Sequence, residues 1–101
     1  MHEDAVIECP QSGERIHGRA NALAMFRALA TPPTFDAWRI DASGDIAVVP
    51  ATGHYPDSEP WHVLLEYQFE GDMIARETAY FGASFPQATW RSSYVRVERF
   101  M

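Results

Sequence analysis

Two histidines in this 101-residue chain are spaced so that they could bind a metal ion together. His54 and His62 flank a loop between two apolar segments, and in a hairpin they could lie nearly opposite each other with both rings on one face. A metal ion would need a third ligand, for which Glu66 or Glu77 is the available source. The alternative is two partly exposed histidines on a sheet surface, and we predict no metal site.

Cys9 is the single cysteine, and it directly precedes Pro10. A reactive thiol needs a basic partner that lowers its pKa, whereas a packed thiol behaves as a small apolar side chain. We favour the packed interpretation and keep a redox or reactive thiol as the alternative. One cysteine excludes an intrachain disulfide and a zinc ribbon.

The charged residues exclude several classes of function. All eight basic residues are arginine, which rules out imine chemistry on a lysine and a P-loop. The net charge is −6, and neither half of the chain is basic, so a nucleic-acid partner is not expected. No apolar stretch approaches the length that a bilayer requires, and no signal peptide is evident. We expect a cytoplasmic protein without membrane association, and we predict no cofactor.

The elements that must position these side chains begin with a short strand and a helix. We predict a strand from Ala5 to Cys9, which Pro10 ends, and a turn after it. A helix over 20–29 follows the break at Gly18, and Thr31-Pro32-Pro33 stops it. The helical spacing predicts a core face formed by Leu23, Phe26 and Ala30.

The rest of the chain is predicted to be strands. Pro50 lies inside one of them, which argues for an edge position or a bulge. Consecutive strands with short loops pair antiparallel and form a meander. The predicted strands cover 35–41, 45–55, 61–70 and 73–81, with turns at 42–44, 56–60 and 71–72, and an irregular tail over 82–101 in which 94–100 could pair as a last strand.

Alternation along 61–69 predicts which sheet face is buried. The odd residues Trp61, Val63, Leu65, Tyr67 and Phe69 are all apolar or aromatic, and strand geometry places them on one side. The even residues include His62 and Glu66 and are expected to face solvent or a partner. On the last strand, the same period places Met73, Ala75, Glu77, Ala79 and Phe81 on one face.

These patterns indicate one α+β domain over residues 1–101, a curved antiparallel or mixed sheet with one main helix. Five motifs that span nearly the whole chain are informative in their order and spacing: Glu3-Asp4-Ala5-Val6-Ile7-Glu8, Gly18-Arg19-Ala20-Asn21, Gly71-Asp72-Met73-Ile74-Ala75-Arg76-Glu77, Tyr80-Phe81, and Phe85-Pro86 to Trp90-Arg91. Their order resembles the SnoaL-like branch of the nuclear transport factor two (NTF2) superfamily, to which ketosteroid isomerases and polyketide cyclases also belong.

The resemblance implies a cone-shaped fold, in which a strongly bent, cystatin-like sheet wraps around an apolar pocket. It also implies homodimers formed through the outer sheet face. Family members usually carry one or two helices before the first strand, and these help to wall the pocket. This sequence begins at the first strand, so the resemblance predicts a sheet whose N-terminal helical cover is missing.

The catalytic residues of the isomerases are not matched here. Cys9 occupies the position where sequences resembling ketosteroid isomerase have an aspartate base, and Leu65 aligns approximately with their second acid. The catalytic tyrosine of those enzymes would lie in the missing helix. These departures indicate that the chain is not a ketosteroid isomerase.

Glu77 is the carboxylate that the resemblance singles out, because it implies that the Glu77 face is concave. Burial in an apolar cavity would raise the pKa of Glu77 and suit it to proton transfer. The alternative is a cross-strand partner for Arg39 or Arg76. Aromatic side chains would line the same cavity for a planar or hydrophobic ligand, although plain core packing is the alternative. The predicted site is Glu77 as acid or base, with Cys9, Trp38, Leu65, Tyr67, Phe81 and Trp90 as ligand-binding residues.

Three functional hypotheses follow. The protein binds a hydrophobic small molecule without chemistry and forms a homodimer or higher homo-oligomer through its sheet; this is favoured. The second hypothesis is an isomerase- or cyclase-type enzyme that uses Glu77 as an acid or base on a hydrophobic small molecule. A third possibility is a truncated relative that exchanges segments between copies to cover its sheet, which is compatible with either.

Overall fold

The computed structural model describes residues 1–98 and consists of one large mixed sheet with one α-helix beside it. The sheet is curved and does not close into a barrel. Its path order is β2-β1-β7-β6-β5-β3, and β4 also pairs with β5. The strands are β1 Val6–Cys9, β2 Glu14–His17, β3 Thr34–Ala37, β4 Asp41–Ser43, β5 Ile46–His54, β6 Trp61–Glu70 and β7 Met73–Ala83, and the helices are α1 Arg19–Arg27 and a short 3-10 turn at Thr89–Arg91.

The predicted α+β class and the antiparallel meander of the last three long strands are confirmed. β5 pairs with β6, and β6 pairs with β7, both antiparallel. β1 closes back onto β7 in a parallel register, with Ile7 beside Glu77. The first strand therefore lies against the last one, and the sheet is mixed.

Three elements differ from the sequence prediction. β2 was not expected; it forms a hairpin with β1 across the predicted turn. The strand predicted over 35–41 is two strands, β3 and β4, which pair with different parts of β5. Within the described residues, 94–98 form no strand, and the remainder of the predicted last strand lies outside the described residues.

Pro50 explains the break between β3 and β4. β5 is an interior strand, paired on both sides, so the predicted edge position is wrong. Pro50 lacks the N–H that a further partner would need, and it lies where the neighbour of β5 changes from β3 to β4. Its carbonyl still accepts a bond from the Trp38 N–H at 2.9 Å. The proline therefore interrupts one side of a paired strand.

Helix α1 is anchored to the first hairpin and not to the centre of the sheet. The N–H groups of Gly18 and Arg19 donate to the carbonyls of Ala5 and Glu3 at 2.8 and 2.9 Å. The buried helical side chain is Ala22. Leu23 and Phe26, predicted to face the core, are 45% and 47% exposed. The predicted core face of the helix is wrong, since the anchoring turns Ala22 inward.

A β-bulge separates the two ends of β7. The register between β6 and β7 shifts at Gln68/Phe69, so Tyr67 lies opposite Glu77 whereas Phe69 lies opposite Ile74. Glu77, Ala79 and Phe81 share a face as predicted. Met73 pairs with Glu70 and has left that face, because the extra residue of a bulge reverses the alternation.

The alternation predicted for β6 is otherwise confirmed. Its odd residues are buried or half-buried, and from Leu64 onward its even residues are exposed. We call the side that carries Trp61, Val63, Leu65 and Tyr67 the aromatic face, and the side that carries His62, Leu64, Glu66 and Gln68 the mixed face. The small core lies against the aromatic face, where Val63, Ala51 and Ala79 are buried.

Gln11 fastens the first hairpin to β7 beyond the end of β1. Its side-chain amide donates to the Phe81 carbonyl, and its side-chain oxygen accepts from the Phe81 N–H. Since β1 pairs with β7 only up to Thr78, the glutamine satisfies backbone groups that the strand no longer reaches. This pair of bonds fixes the backbone of Phe81.

Candidate functional site

Three aromatic side chains surround a hollow at one end of the aromatic face. Tyr55, Trp61 and Phe81 line a space of about 370 Å³. β6 supplies Trp61, β7 supplies Phe81, and Tyr55 follows directly after β5. The ring centroids of Tyr55 and Phe81 are 6.5 Å apart, and Phe35 lies edge-on to Tyr55 at 6.1 Å. Aromatic residues from three segments thus line one hollow, and Phe35 from β3 packs against one of them.

Gly53 makes room for this arrangement. A side chain at Gly53 would place its Cβ 3.0 Å from Val63 Cγ2, 3.1 Å from Tyr55 Cε2 and 3.3 Å from Phe35 Cε1. These separations are shorter than ordinary carbon contacts. The rings of Tyr55 and Phe35 can lie where they do because position 53 carries no side chain.

Cys9 lies close to this hollow. It is half-buried and follows the residues of β1 that pair with β7. Burial, and after it the charge of a Cys9 thiolate, raise the pKa of the Tyr55 hydroxyl. Cys9 is thus near enough to Tyr55 for its charge to influence the phenol, although it does not line the hollow.

Glu77 and Tyr67 form a polar pair further along the aromatic face. They lie directly opposite each other on β7 and β6. Burial, the negative charge of Glu77 and an interaction with its carboxylate raise the pKa of Tyr67, so the phenol stays protonated well beyond neutral pH. The partner of Glu77 is thus Tyr67 and not the arginines expected, since Arg39 pairs with Asp41 and Arg76 with Glu8.

Leu65 connects the two parts of this face. It is half-buried and lies between Val49 on β5 and Ala79 on β7. Phe81 and Glu77 are four residues apart on one strand, which is about 13 Å at the usual strand rise. Glu77 does not line the aromatic hollow. One ligand could contact both Phe81 and Glu77 only if it extends across the apolar surface at Leu65.

Trp38 and Trp90 lie away from the other predicted site residues. Trp38 is on the mixed face, where its Nε1 donates to Thr52 Oγ1 at 2.7 Å and its ring lies edge-on to His62. Its position follows from the register of β3 on β5, which turns Asp36 and Thr52 to that face. Trp90 is 79% exposed in the segment after β7. The structure brings Cys9, Leu65, Tyr67, Glu77 and Phe81 onto one face and leaves both tryptophans off it.

The mixed face carries its own hollow of about 390 Å³. Its side chains are apolar apart from one histidine, and Leu64 and Tyr80 at its centre are each 41% exposed. The lining side chains on this face are Trp38, Pro50, His62, Leu64 and Tyr80.

The two histidines proposed as a pair are separated by the register. His62 lies opposite Thr52, so His54 falls beyond the pairing. His54 Nε2 lies 2.9 Å from Asp36 Oδ2, and His62 Nε2 lies 3.0 Å from Ser84 Oγ. Within residues 1–98, no three His, Cys, Asp or Glu side chains are grouped as metal ligands.

Glu8 organises the polar part of the mixed face. Its carboxylate accepts from Arg15 Nε at 3.0 Å and from Thr78 Oγ1 at 3.0 Å, and Arg76 Nη1 is 3.5 Å away. The bonds from Arg15 and Thr78 hold the pKa of Glu8 below its usual value. A hollow of about 600 Å³ lies nearby and is also lined mainly by polar groups, among them Asp4, Asp45, Glu70 and Arg76.

The solved structures most similar to this fold share one superfamily. An NTF2-like protein of unknown function from Burkholderia xenovorans LB400 superposes with a TM-score of 0.86 and 29% sequence identity. The superposition covers 97% of this chain and 77% of the Burkholderia chain. The chain belongs to the NTF2-like superfamily. A second NTF2-like structure, from Kribbella flavida DSM 17836 and provisionally named a ketosteroid isomerase, has a TM-score of 0.87 and 25% identity over 99% of this chain and 74% of its own.

More distant members share the NTF2-like fold alone. An LEH-like epoxide hydrolase from M. tuberculosis superposes with a TM-score of 0.67 at 22% identity, over 80% of this chain and 64% of its own. No protein-family profile matches the sequence, and no curated protein matches it significantly. No helix within residues 1–98 is long and apolar enough to cross a membrane.

Several residues of the NTF2-like aromatic face were missed from sequence. Tyr55, Phe35 and Gln11 were not among the predicted site residues. The signal for Tyr55 was present, because continuing the alternation of β5 past Gly53 places it on the same face as Trp61. Phe35 lies directly opposite Gly53, a register that depends on the unpredicted division of β3 from β4. Gln11 acts through its side chain across 70 residues, which no local pattern reveals.

Proposed function

We propose that the protein binds a hydrophobic small molecule in the aromatic hollow. The observation that carries the proposal is that Tyr55, Trp61 and Phe81 line one apolar hollow of about 370 Å³. Ligand sites typically occupy about 300–1,000 Å³ and combine apolar walls with a few polar groups. The Tyr67–Glu77 pair lies beyond Leu65 on the same face, so a longer ligand would meet polar groups at its far end.

Binding of 2-naphthol, a neutral planar probe, tests this proposal by ligand-observed NMR. We expect Phe81→Ala to weaken binding at least about tenfold, since a lost aromatic wall removes a large contact area. Tyr80→Ala is the matched control, because Tyr80 is the next residue and faces the other side of the sheet. Equal losses in both variants, or none in Phe81→Ala, would contradict the proposal.

We also propose that the mixed face binds a second copy of the chain. The accessible surface is 7695 Å², about 1,900 Å² more than the roughly 5,800 Å² expected for a compact chain of this size. Stable homodimers bury about 1,000–2,500 Å² on each chain. The exposed Leu64 and Tyr80, together with the ring of Trp38, supply an apolar centre for such an interface.

Sedimentation velocity tests the dimer. We expect a dimer at micromolar concentration for the wild type and a folded monomer for Leu64→Asp, because a buried unpaired carboxylate is costly. Glu66→Gln is the control, because Glu66 is two residues after Leu64 on β6 and lies on the same face. A wild-type monomer at that concentration would refute the interface.

A second candidate function is proton transfer by Glu77. Its support is the Tyr67–Glu77 pair: a carboxylate can accept a carbon-bound proton, and a phenol that stays protonated can donate to the oxygen that becomes negative. The relative named as a ketosteroid isomerase suggests the type of substrate, an enolisable ketone. Here the proton would move from the carbon beside the carbonyl to Glu77, and the electron pair to the carbonyl oxygen.

Deuterium exchange into cyclohex-3-enone, followed by NMR, tests this activity. We expect exchange above background in the wild type, a loss of at least about 100-fold in Glu77→Gln, and no change in Glu66→Gln on the opposite face. Exchange that survives in Glu77→Gln would assign the proton transfer elsewhere. Absence of exchange in the wild type would leave binding as the function.

A further inference from the structure

The rings around the aromatic hollow stand at steep angles to one another. The planes of Phe35 and Tyr55 meet at 89°, and those of Tyr55 and Phe81 at 67°. Trp61 completes the lining of the hollow. Rings in a plain stack would offer one flat slot, whereas the angled rings of Tyr55 and Phe81 form adjoining walls. We call these walls, together with Trp61, the aromatic box, one side of which is open to solvent.

These walls are held in place from outside the hollow. Trp61 Nε1 donates to Ser58 Oγ at 3.0 Å, which fixes the orientation of the indole. The side-chain amide of Gln11 bonds both the N–H and the carbonyl of Phe81. Because Gly53 has no side chain, there is room for Tyr55 and Phe35. The box therefore exists before any ligand arrives, which lowers the entropy cost of binding.

The electrostatics around the box favour a cation. Each ring presents a negative face from its quadrupole, and none of the three lining residues is charged. The loop that connects Tyr55 to Trp61 carries Asp57 and Glu59 and no basic residue. The chain as a whole has a net charge of −6, which raises the local concentration of cations.

We propose that this box binds a methylated ammonium group, the methyl groups packing on the rings and the positive charge lying against their faces. A quaternary ammonium ion has no N–H to be satisfied and is weakly hydrated, so it can enter an apolar box that would exclude a lysine-like ammonium ion. The inference deepens the proposed ligand-binding function and rests on it. It names the class of ligand: a small molecule that carries a quaternary ammonium head.

A pair of isosteres tests the charge separately from the shape. Choline and 3,3-dimethylbutan-1-ol have the same shape, and only choline is charged. We expect choline to bind about 3- to 30-fold more tightly when both are titrated against tryptophan fluorescence or followed by ligand-observed NMR. Equal affinities would overturn the cation inference and leave the proposed apolar site standing. Binding of 2-naphthol without choline would do the same, and failure of all three probes would overturn both.

Variants of the ring residues test whether the rings themselves recognise the charge. The measured quantity is the ratio of the affinity for choline to that for its neutral isostere, which a purely structural role of these residues would not change. In Trp61→Leu we expect the preference for choline over its neutral isostere to fall toward one, because the leucine keeps apolar contact and removes the ring. Phe81→Leu should reduce the same ratio, which protects the test if Trp61→Leu fails to fold. Trp90→Leu, in the segment after β7 and away from the hollow, should leave the ratio unchanged. A ratio that is unchanged in both wall variants would refute the box as the cation site.

Discussion

The aromatic face and the mixed face are built from alternate residues of the same strands, yet they are stabilised in different ways. On the aromatic face, Val63 is buried between Ala51 and Phe81, and contacts between apolar groups dominate. On the mixed face, Leu64 is 41% exposed and the ordered contacts are polar, as around Glu8. The difference indicates that the first face carries the stability of the single chain, whereas the second is the face on which we propose that a second copy binds.

Replacement of neighbouring residues on the two faces should give the largest contrast. We expect Val63→Ala to lower the free energy of unfolding by about 2 kcal/mol, because it removes buried methyl groups and leaves a cavity. This loss should not depend on protein concentration. The effect of Leu64→Ala should grow with concentration if the proposed dimer forms, since the variant would act on its interface. Urea unfolding at two protein concentrations measures both, and similar, concentration-independent losses would remove the distinction.

Glycines on the two faces should respond differently to an added methyl group. Gly53→Ala should cost about 1–2 kcal/mol, because Val63 and Tyr55 must move to admit the Cβ, and it should weaken 2-naphthol binding. Gly82→Ala is the matched control: the nearest atom to its Cβ is the His62 carbonyl oxygen at 3.9 Å. Thermal unfolding compares them. A stable Gly53→Ala with unchanged binding would show that the rings do not need this space.

The buried polar contact of the mixed face should have a smaller effect. Trp38→Phe leaves the hydroxyl of Thr52, which is 4% exposed, without its bond from the indole. We expect a loss of about 1 kcal/mol in stability. Thr52→Val in the same background should restore part of it by removing the unpaired hydroxyl. A double-mutant cycle in urea measures the coupling, and a coupling near zero would mean that the bond contributes nothing.

The ion pairs at Glu8 should give the smallest effect, and one that depends on pH. The folded-state pKa of Glu8 is lowered, so its stabilisation is present above the ordinary carboxyl pKa and is lost as the pH falls through the folded value. We expect Glu8→Gln to cost roughly 0.5–1 kcal/mol near neutral pH and progressively less as the pH falls below the ordinary carboxyl pKa. Glu66→Gln is the control. A cost that does not change with pH would assign the effect to packing.

Much of this fold followed from periodicity, and the failures have identifiable causes. The alternation in β6 correctly predicted which residues are buried, since that strand is paired on both sides along most of its length. The same alternation failed at Met73 because a bulge shifts the register, and bulges have no reliable sequence signal. Trp38 was predicted to line the cavity, but the register of β3 on β5 turns it to the mixed face, and a single sequence does not display such a register.

The candidate site was predictable in part. Cys9, Leu65, Tyr67, Glu77 and Phe81 share the aromatic face, and those on β6 and β7 follow from strand parity alone. Tyr55 and Phe35 join it through cross-strand registers that depend on loop lengths and on the position of Gly53. Such long-range registers are decided by packing between segments, which a single sequence does not display.

The contact between Gln11 and Phe81 has a consequence for the exposed edge of the sheet. The part of β7 beyond β1 is a sheet edge, and the free N–H and C=O groups of such an edge can template the strand of another molecule. At Phe81, the side-chain amide of Gln11 occupies both the backbone donor and the backbone acceptor. The groups that an added strand would need at this residue are therefore already bonded within the chain.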